Sequence, residues 1–180
     1  MLSSSFLSAL LIILFLVSGC TPFRSFDQKS VTVSFRVIAD VPLVVQQGAD
    51  DCGPAAISTL LAHRGRKLPI ESVTHSVSTP LLGGSLLADL ENYARQQGLV
   101  TRSGSGTQDM LRLQIDAGRP VIVMLDTGFW LYTRPHYIVV TGYDTDGFVV
   151  HTGKEGASYI FSRELSGRWA AMNNLYLYLE

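Results

Sequence analysis

A cysteine that follows a glutamine at short spacing is the first feature of this sequence able to carry out chemistry. Cys52 lies between Asp51 and Gly53, six residues after Gln46, and an apolar segment with helical spacing follows it. Unpaired amides at a helix N-terminus favour a thiolate, so this position predicts a lowered pKa for Cys52. The backbone N–H of Cys52 and the side-chain amide of Gln46 would donate to the oxyanion formed when the thiolate attacks a carbonyl. The pattern indicates nucleophilic catalysis.

Such a cysteine needs a base, which is ordinarily a histidine on another element. The chain has four histidines: His63, His75, His136 and His151. His63 lies near the far end of the same helix, about 16 Å of helical rise from Cys52, and cannot reach the thiol. His75 falls in a polar segment predicted to be a loop, and His151 lies near the end of a strand. His136 opens a β-rich run, where a sheet edge would hold it rigidly, and is the predicted base.

Two sequence blocks, DDCGPAAISTLLAHRG preceded by Gln46, and PHYIVVTGYD, resemble the C39 family of papain-like cysteine peptidases. The resemblance implies that Cys52 is the nucleophile, His136 the general base and Gln46 the oxyanion-hole residue. It also implies hydrolysis of a peptide or protein substrate through an acyl enzyme, with no cofactor. Many members of the family belong to exporters and cleave leader peptides after a double glycine.

The third member of the catalytic triad departs from this family's pattern. In C39 peptidases an Asp-Pro pair ends the strand after the His strand, and the Asp orients the imidazole; the matching positions here are Thr152 and Gly153. A threonine hydroxyl accepts a hydrogen bond from imidazole but does not stabilise imidazolium as an anion does. Thr152 is the predicted orienting residue, and Asp126 and Glu155 are possible substitutes that depend on geometry.

Other interpretations of the same residues remain open. One alternative is that Cys52 is only a small buried residue without a catalytic role. Another is that Gln47, one position later, takes the role assigned to Gln46. A chain that keeps the cleft without the orienting Asp is predicted to be a catalytically weak or inactive peptide-binding module. Acyl or amide transfer on the same scaffold is a further enzymatic alternative.

The composition argues against two other classes of function. Fourteen Lys and Arg stand against fifteen Asp and Glu, for a net charge of −1, which leaves no basic surface for nucleic acid. Four scattered histidines and one thiol besides Cys20 show no pair at ligand spacing, so no metal site is predicted.

The N-terminal segment predicts export and lipid anchoring. Residues 1–19 contain no charged side chain, and residues 6–17 are apolar except for Ser8, a run too short to span a bilayer. The sequence Val-Ser-Gly-Cys that ends at Cys20 resembles a bacterial lipobox, which implies cleavage before Cys20 and acylation of its thiol and new amino group. The expected location is the cell envelope, at the periplasmic face of the outer membrane. A buried hydrophobic helix is the alternative.

The rest of the chain predicts one domain. Residues 20–30 are polar and are expected to form a lipidated tether, and residues 31–180 are expected to form the peptidase-like domain. Helices are predicted at 52–64, 86–97 after a Ser85 cap, 107–117 and 162–171, and strands at 31–38, 121–126, 136–144, 147–152 and 175–179. Helices first and strands later indicate an α+β fold, with N-terminal helices packed on an antiparallel sheet. The loop before His136 is expected either to line a substrate cleft or to form the edge of the core, since it contains the aromatic residues Phe129, Trp130 and Tyr132.

Overall fold

The computed structural model describes residues 22–27 and 35–180. The helices are α1 (Cys52–His63), α2 (Ile70–Val77), α3 (Leu87–Gln96), α4 (Gln108–Asp116) and α5 (Ser162–Ala170), with a short 3₁₀ helix at Pro80–Leu82. The strands are β1 (Arg24–Ser25), β2 (Arg36–Val37), β3 (Thr101–Ser105), β4 (Val121–Asp126), β5 (Pro135–Tyr143), β6 (Gly147–His151), β7 (Ser158–Phe161) and β8 (Leu175–Leu179). No helix within these ranges is long and apolar enough to cross a membrane. The predicted signal peptide 1–19 and Cys20 lie outside the described residues.

One sheet joins the strands in the order β1-β7-β6-β5-β4-β8-β3, and β2 pairs with β5. Every pairing is antiparallel. The prediction of an α+β fold with helices on an antiparallel sheet is therefore confirmed. The predicted strands 136–144 and 147–152 pair with each other as the β5–β6 hairpin, and the carboxylate of Asp144 holds the turn between them. Its Oδ1 accepts from the backbone N–H of Gly147 at 2.7 Å.

The sheet separates two apolar clusters, which explains the unbroken apolar run of β4. Helices α1 to α3 cover one cluster, and α4 and α5 cover the other. Ile122 belongs to the first cluster, whereas Val121 and Val123 belong to the second. Successive side chains of a strand point to opposite faces, so a strand with helices on both sides needs apolar residues at every position.

Several elements were not predicted. Helix α2 lies where a loop was expected around His75. It was missed because it buries only Val73 and Val77, which form too narrow an apolar stripe to show helical spacing. Strands β3 and β7 were also missed; β3 lies at the sheet edge and buries only Thr101, so its sequence shows no alternation. Helix α3 begins at Leu87 and has Leu86, not Ser85, as its N-cap.

The start of the described chain is not a free tether. Within the predicted tether 20–30, Arg24 and Ser25 pair with β7, opposite Tyr159 and Ser158. Phe26 extends this contact by donating its backbone N–H to the carbonyl of Ala157. Residues 22–27 therefore follow the edge of the sheet, an arrangement that their polar composition did not reveal.

Candidate active site

Helix α1 places Cys52 at its first position, against the sheet. Asp51 is the N-cap residue, but its carboxylate accepts from the N–H of Gly48 at 2.8 Å and does not cap the helix. From Gly53 to Leu61 every residue of α1 is buried. Cys52 itself is half-buried and is a free thiol. The close packing of this helix therefore holds the sulfur at the surface of the core.

Strand β5 places His136 near its beginning, opposite Leu125 of β4. The ring is half-buried, and its Nε2 lies 3.0 Å from the backbone carbonyl oxygen of Thr152. That carbonyl only accepts, so Nε2 carries the proton in this hydrogen bond. The ring is thereby held in one orientation.

Cys52 and His136 line the same cavity, whose volume is about 550 Å³. The walls also include Ser85, Met124 and Tyr132. The structure thus brings the predicted nucleophile and the predicted base, 84 residues apart in sequence, to one cleft. A cleft that contains a thiol and an imidazole is able to accept a peptide carbonyl.

Gln46 lies on the other side of His136. It lines a second cavity, of about 180 Å³, together with His136 and Thr152. Its backbone N–H donates to the carbonyl of Gly153 at 2.8 Å, and its Nε2 donates to the carbonyl of Gly48 at 2.9 Å. Its Oε1 is buried and has no hydrogen-bond partner among the described residues. In this arrangement the amide that was expected to stabilise an oxyanion is bonded to Gly48.

The His136 ring is oriented by main chain and not by the predicted hydroxyl. The side chain of Thr152 is buried, with 2% of the residue exposed, and the group that contacts the ring is its carbonyl. Gly153 has φ 77°, which proline cannot adopt. The backbone conformation at Thr152-Gly153 therefore differs from that of an Asp-Pro pair. The prediction that Thr152 orients the ring through its side chain is corrected in this respect.

Neither of the alternative carboxylates takes the place of the missing Asp. Oδ1 of Asp126 accepts from the N–H of Gly128 at 2.8 Å and from the N–H of Arg134 at 2.9 Å. Asp126 therefore holds the loop between β4 and β5. Glu155 is exposed. In the part of the chain that the structure describes, no carboxylate hydrogen-bonds to His136.

Electrostatics keep the imidazole neutral. Burial lowers the pKa of His136, because desolvation disfavours the charged ring. The hydrogen bond to Thr152 opposes this shift, whereas the nearby charges of Arg134 and Lys154 lower the pKa of the ring further. Arg134 was overlooked in the sequence, although it lies only two residues before His136.

The thiol is also kept neutral. Burial raises the pKa of Cys52, the amides of Tyr137, Gly53 and Cys52 itself oppose this effect, and Asp50 adds to it. The predicted lowering of this pKa at the helix N-terminus is wrong, because desolvation outweighs the amide hydrogen bonds. Burial thus favours the uncharged form of both the Cys52 thiol and the His136 imidazole.

The other three histidines lie elsewhere. The Nε2 atom of His63 is 3.2 Å from the carbonyl oxygen of Gly118, and His75 is exposed on α2. His151 lines a separate cavity, and its Nδ1 is buried with no partner among the described residues. Within the same residues no group of three or more His, Cys, Asp or Glu is able to hold a metal ion.

Comparison with known proteins decides the family. The sequence model of the Peptidase C39 family matches residues 40–176. The chain belongs to this family. Both of the cleft residues, Cys52 and His136, fall within the matched range, as does Gln46.

Relatives of this C39 chain include longer proteins. Over 143 residues it is 25% identical to the colicin V secretion/processing ATP-binding protein CvaB of Escherichia coli, a match that covers 79% of this chain and 19% of that protein. The chain therefore spans about a fifth of that relative.

Solved structures show the same fold. A C39-like peptidase from Bacillus anthracis has a TM-score of 0.68 at 12% identity, covering 82% of this chain and 98% of the other. The double glycine motif protease of an AMS/PCAT transporter, solved in complex with its leader peptide, has a TM-score of 0.64 at 20% identity, covering 80% and 94%. At these identities the likeness concerns the fold of the C39 domain.

Proposed function

We propose that this chain is a lipid-anchored cysteine peptidase that cleaves peptide bonds with Cys52 as nucleophile and His136 as general base. The observation that carries the proposal is the cavity that both side chains line. The family is one of cysteine peptidases, and one structural neighbour was solved with a peptide bound. Peptides that contain a double glycine are the first substrate class to test, by analogy with that neighbour.

The mechanism starts from the uncharged pair. Imidazole removes the thiol proton as the sulfur attacks the peptide carbonyl carbon, which gives a tetrahedral oxyanion and imidazolium. The oxyanion accepts hydrogen bonds from the N–H of Cys52 and from the amide of Gln46, once that amide has left Gly48. Imidazolium then protonates the departing amine. Water, deprotonated by His136, hydrolyses the acyl enzyme and restores the thiol.

A second candidate function is a peptide-binding module with little or no activity. It is favoured by the absence, in the described ranges, of a carboxylate that hydrogen-bonds to His136, and by Arg134 and Lys154, whose charges disfavour imidazolium. Both features raise the free energy of the ion pair that the first step generates.

Lipidation of Cys20 completes the proposal. The lipobox-like residues before Cys20 support it, as does the uncharged segment 1–19. The mature chain would then carry Cys52 as its one free thiol, and it would act in the cell envelope, at the periplasmic face of the outer membrane.

Product analysis of the full chain distinguishes a peptidase from a binding module by cleavage, and hydrolysis from acyl transfer by isotope incorporation. Synthetic peptides, with and without a Gly-Gly pair, are incubated in ¹⁸O-labelled water and analysed by mass spectrometry. Hydrolysis places ¹⁸O in the new carboxyl termini, whereas transfer to an added amine does not. We expect Cys52→Ala to lower turnover by about a thousandfold or more, as loss of a nucleophile generally does.

Thr152→Val is the matched control, because it removes the hydroxyl and keeps the carbonyl that contacts His136. It should cleave like the unmodified chain. Peptides that bind to the unmodified chain without any cleavage would favour the binding module. Cleavage that survives Cys52→Ala would contradict the proposed mechanism.

A further inference from the structure

The loop between β4 and β5 presents four consecutive apolar side chains to solvent. Phe129, Trp130, Leu131 and Tyr132 are between 70% and 88% exposed, and we call this segment the aromatic tip. Clusters of exposed apolar side chains are uncommon on soluble domains and indicate a surface that contacts something else. The core is complete without these four residues, since neither apolar cluster includes them.

The aromatic tip is a structured turn. Tyr132 donates its backbone N–H to the carbonyl of Phe129 at 3.0 Å, and Thr127 donates to the carbonyl of Arg134 at 2.9 Å. The two amides bound by Asp126 close the base of the loop. Trp130 adopts a left-handed backbone conformation, φ 53°, which bulky residues rarely take. The chain thus holds the indole outward at a conformational cost, which argues for a function of the exposed ring.

A second exposed apolar segment lies at the same cleft. Leu81 is 98% exposed, and its neighbour Leu82 lines the same cavity as Tyr132 and Cys52. Exposed apolar side chains from two separate segments of the chain therefore lie at this cavity.

The predicted anchor enters the domain next to the aromatic tip. Pro22 and Phe23 line the second cavity together with Arg134, and the Phe23 ring lies 6.5 Å from the His136 ring, centroid to centroid. Cys20 is two residues before Pro22, and covalent geometry limits the separation of their Cα atoms to about 7 Å. A lipid on Cys20 would therefore bring this end of the molecule, with its cleft, to the bilayer.

The charges beside the tip suit a phospholipid surface. Arg134 and Lys154 border the second cavity, where Pro22 lies. Asp126, the nearest carboxylate to Arg134 along the chain, has its Oδ1 occupied by loop amides, whereas Glu155, the neighbour of Lys154, is exposed. Tryptophan and tyrosine favour the boundary between headgroups and acyl chains, and basic side chains favour phosphate groups.

We propose that the aromatic tip inserts into the surface of the bilayer that holds the Cys20 anchor, so that the Cys52 cleft opens toward the membrane. The substrate class is then a peptide that lies on, or emerges from, that membrane. This inference rests on the anchoring part of the proposed function and is independent of peptide-bond cleavage.

Tryptophan fluorescence tests the proposal directly, because the chain has two tryptophans. Trp130 is in the tip, whereas Trp169 is 1% exposed and serves as an internal control. The full chain is reconstituted in vesicles of phosphatidylcholine and phosphatidylglycerol, with and without brominated acyl chains. We expect the emission of Trp130 to shift to shorter wavelength and to lose most of its intensity in brominated vesicles. Trp130→Phe should remove this quenching and leave the emission of Trp169.

Matched leucine variants identify the surface that inserts. Leu131→Ser should reduce the quenching of Trp130, whereas Leu113→Ser, which removes an exposed leucine from α4, should not. Quenching that is equal in the unmodified chain and in Trp130→Phe, or Trp130 that stays accessible to iodide in vesicles, would overturn the proposal.

The mass of the purified chain reports acylation separately. An unacylated chain with a lipid-shielded Trp130 would refute the Cys20 anchor, and with it the proposal that the tip inserts beside that anchor. An acylated chain with a water-exposed Trp130 would refute the insertion and leave the proposed peptidase function untouched.

Discussion

At the scale of single residues, the chemistry of the cleft depends on which groups face the His136 ring. A carboxylate would favour imidazolium, whereas here the ring contacts a main-chain carbonyl and lies near two cations. Burial and these two cations disfavour an ion pair before attack, so we expect deprotonation of Cys52 to accompany attack on the carbonyl. Catalysis with such a base is expected to be slower than with an Asp-supported one.

Removing a cation should change the titration of the ring in a known direction. The charge of Arg134 lowers the pKa of His136, so Arg134→Gln should raise that pKa toward its ordinary value. The pKa is measured by NMR titration of the His136 ring protons. Lys154→Gln should act in the same direction. Lys67→Gln, an exposed substitution on the loop after α1, is the control and should leave the titration unchanged. An unchanged pKa in Arg134→Gln would show that the charge of Arg134 does not act on the ring.

At the scale of elements, the position of the sulfur depends on how closely α1 approaches the chain that precedes α3. Gly53 follows Cys52 and is buried, and a Cβ at Gly53 would lie 2.8 Å from the Cβ of Ser85. Ser85 also accepts a hydrogen bond at its carbonyl from the Tyr137 hydroxyl, at 3.2 Å. Helix α1, the chain before α3 and strand β5 thus meet at Gly53, next to Cys52. The lack of a side chain at Gly53 permits this close contact.

Two helical glycines should respond in opposite ways to alanine. Gly53→Ala forces α1 away from Ser85 and should lower the free energy of unfolding by about 1–3 kcal/mol, as overpacking generally does. Gly167→Ala, in α5, meets open space and should raise it by about 0.5–1 kcal/mol through helix propensity. Urea unfolding measures both. Equal effects of the two substitutions would show that the contact with Ser85 is not tight.

At the scale of the whole molecule, burial links the stability of the fold to pH. It lowers the pKa of His136 and of His151 and raises the pKa of Cys52. Below the ordinary histidine pKa of about 6.5, the unfolded chain binds protons that the folded chain does not. Above the ordinary cysteine pKa of about 8.5, the unfolded chain releases a proton that the folded chain keeps. Stability is therefore expected to be highest between these two values.

The loss of folding stability at acid pH tests this link. The stabilisation due to a neutral His136 is present above about pH 6.5 and is lost as the pH falls from there through the pKa of the folded state. His136→Gln should therefore make the free energy of unfolding less dependent on pH between about 7 and 5. The control is His75→Gln, on the surface of α2, which should keep the pH dependence of the unmodified chain. An identical slope in both variants would contradict the buried, neutral state of His136.

The sequence alone determined the class of fold, the family and the elements on which the cleft residues lie. Helix α1 beginning at Cys52, β5 carrying His136 and the fully apolar β4 follow from local spacing, because a buried helix and a buried strand each require apolar residues at fixed intervals. Turn chemistry at Asp144 is equally local. Strand β3 and helix α2 escaped prediction, since an edge strand and a short surface helix bury too few residues to show a pattern.

Only the tertiary structure decided which atoms face the cleft residues. That the carbonyl of Thr152, and not its hydroxyl, contacts His136 depends on the left-handed backbone at Gly153 and on the pairing of β5 with β6. The raised pKa of Cys52 likewise reflects burial by elements far away in sequence, which outweighs the helix N-terminus that local reasoning considers. Desolvation and main-chain contacts depend on the packing of the whole domain, and for that reason no spacing of residue types along the chain encodes them.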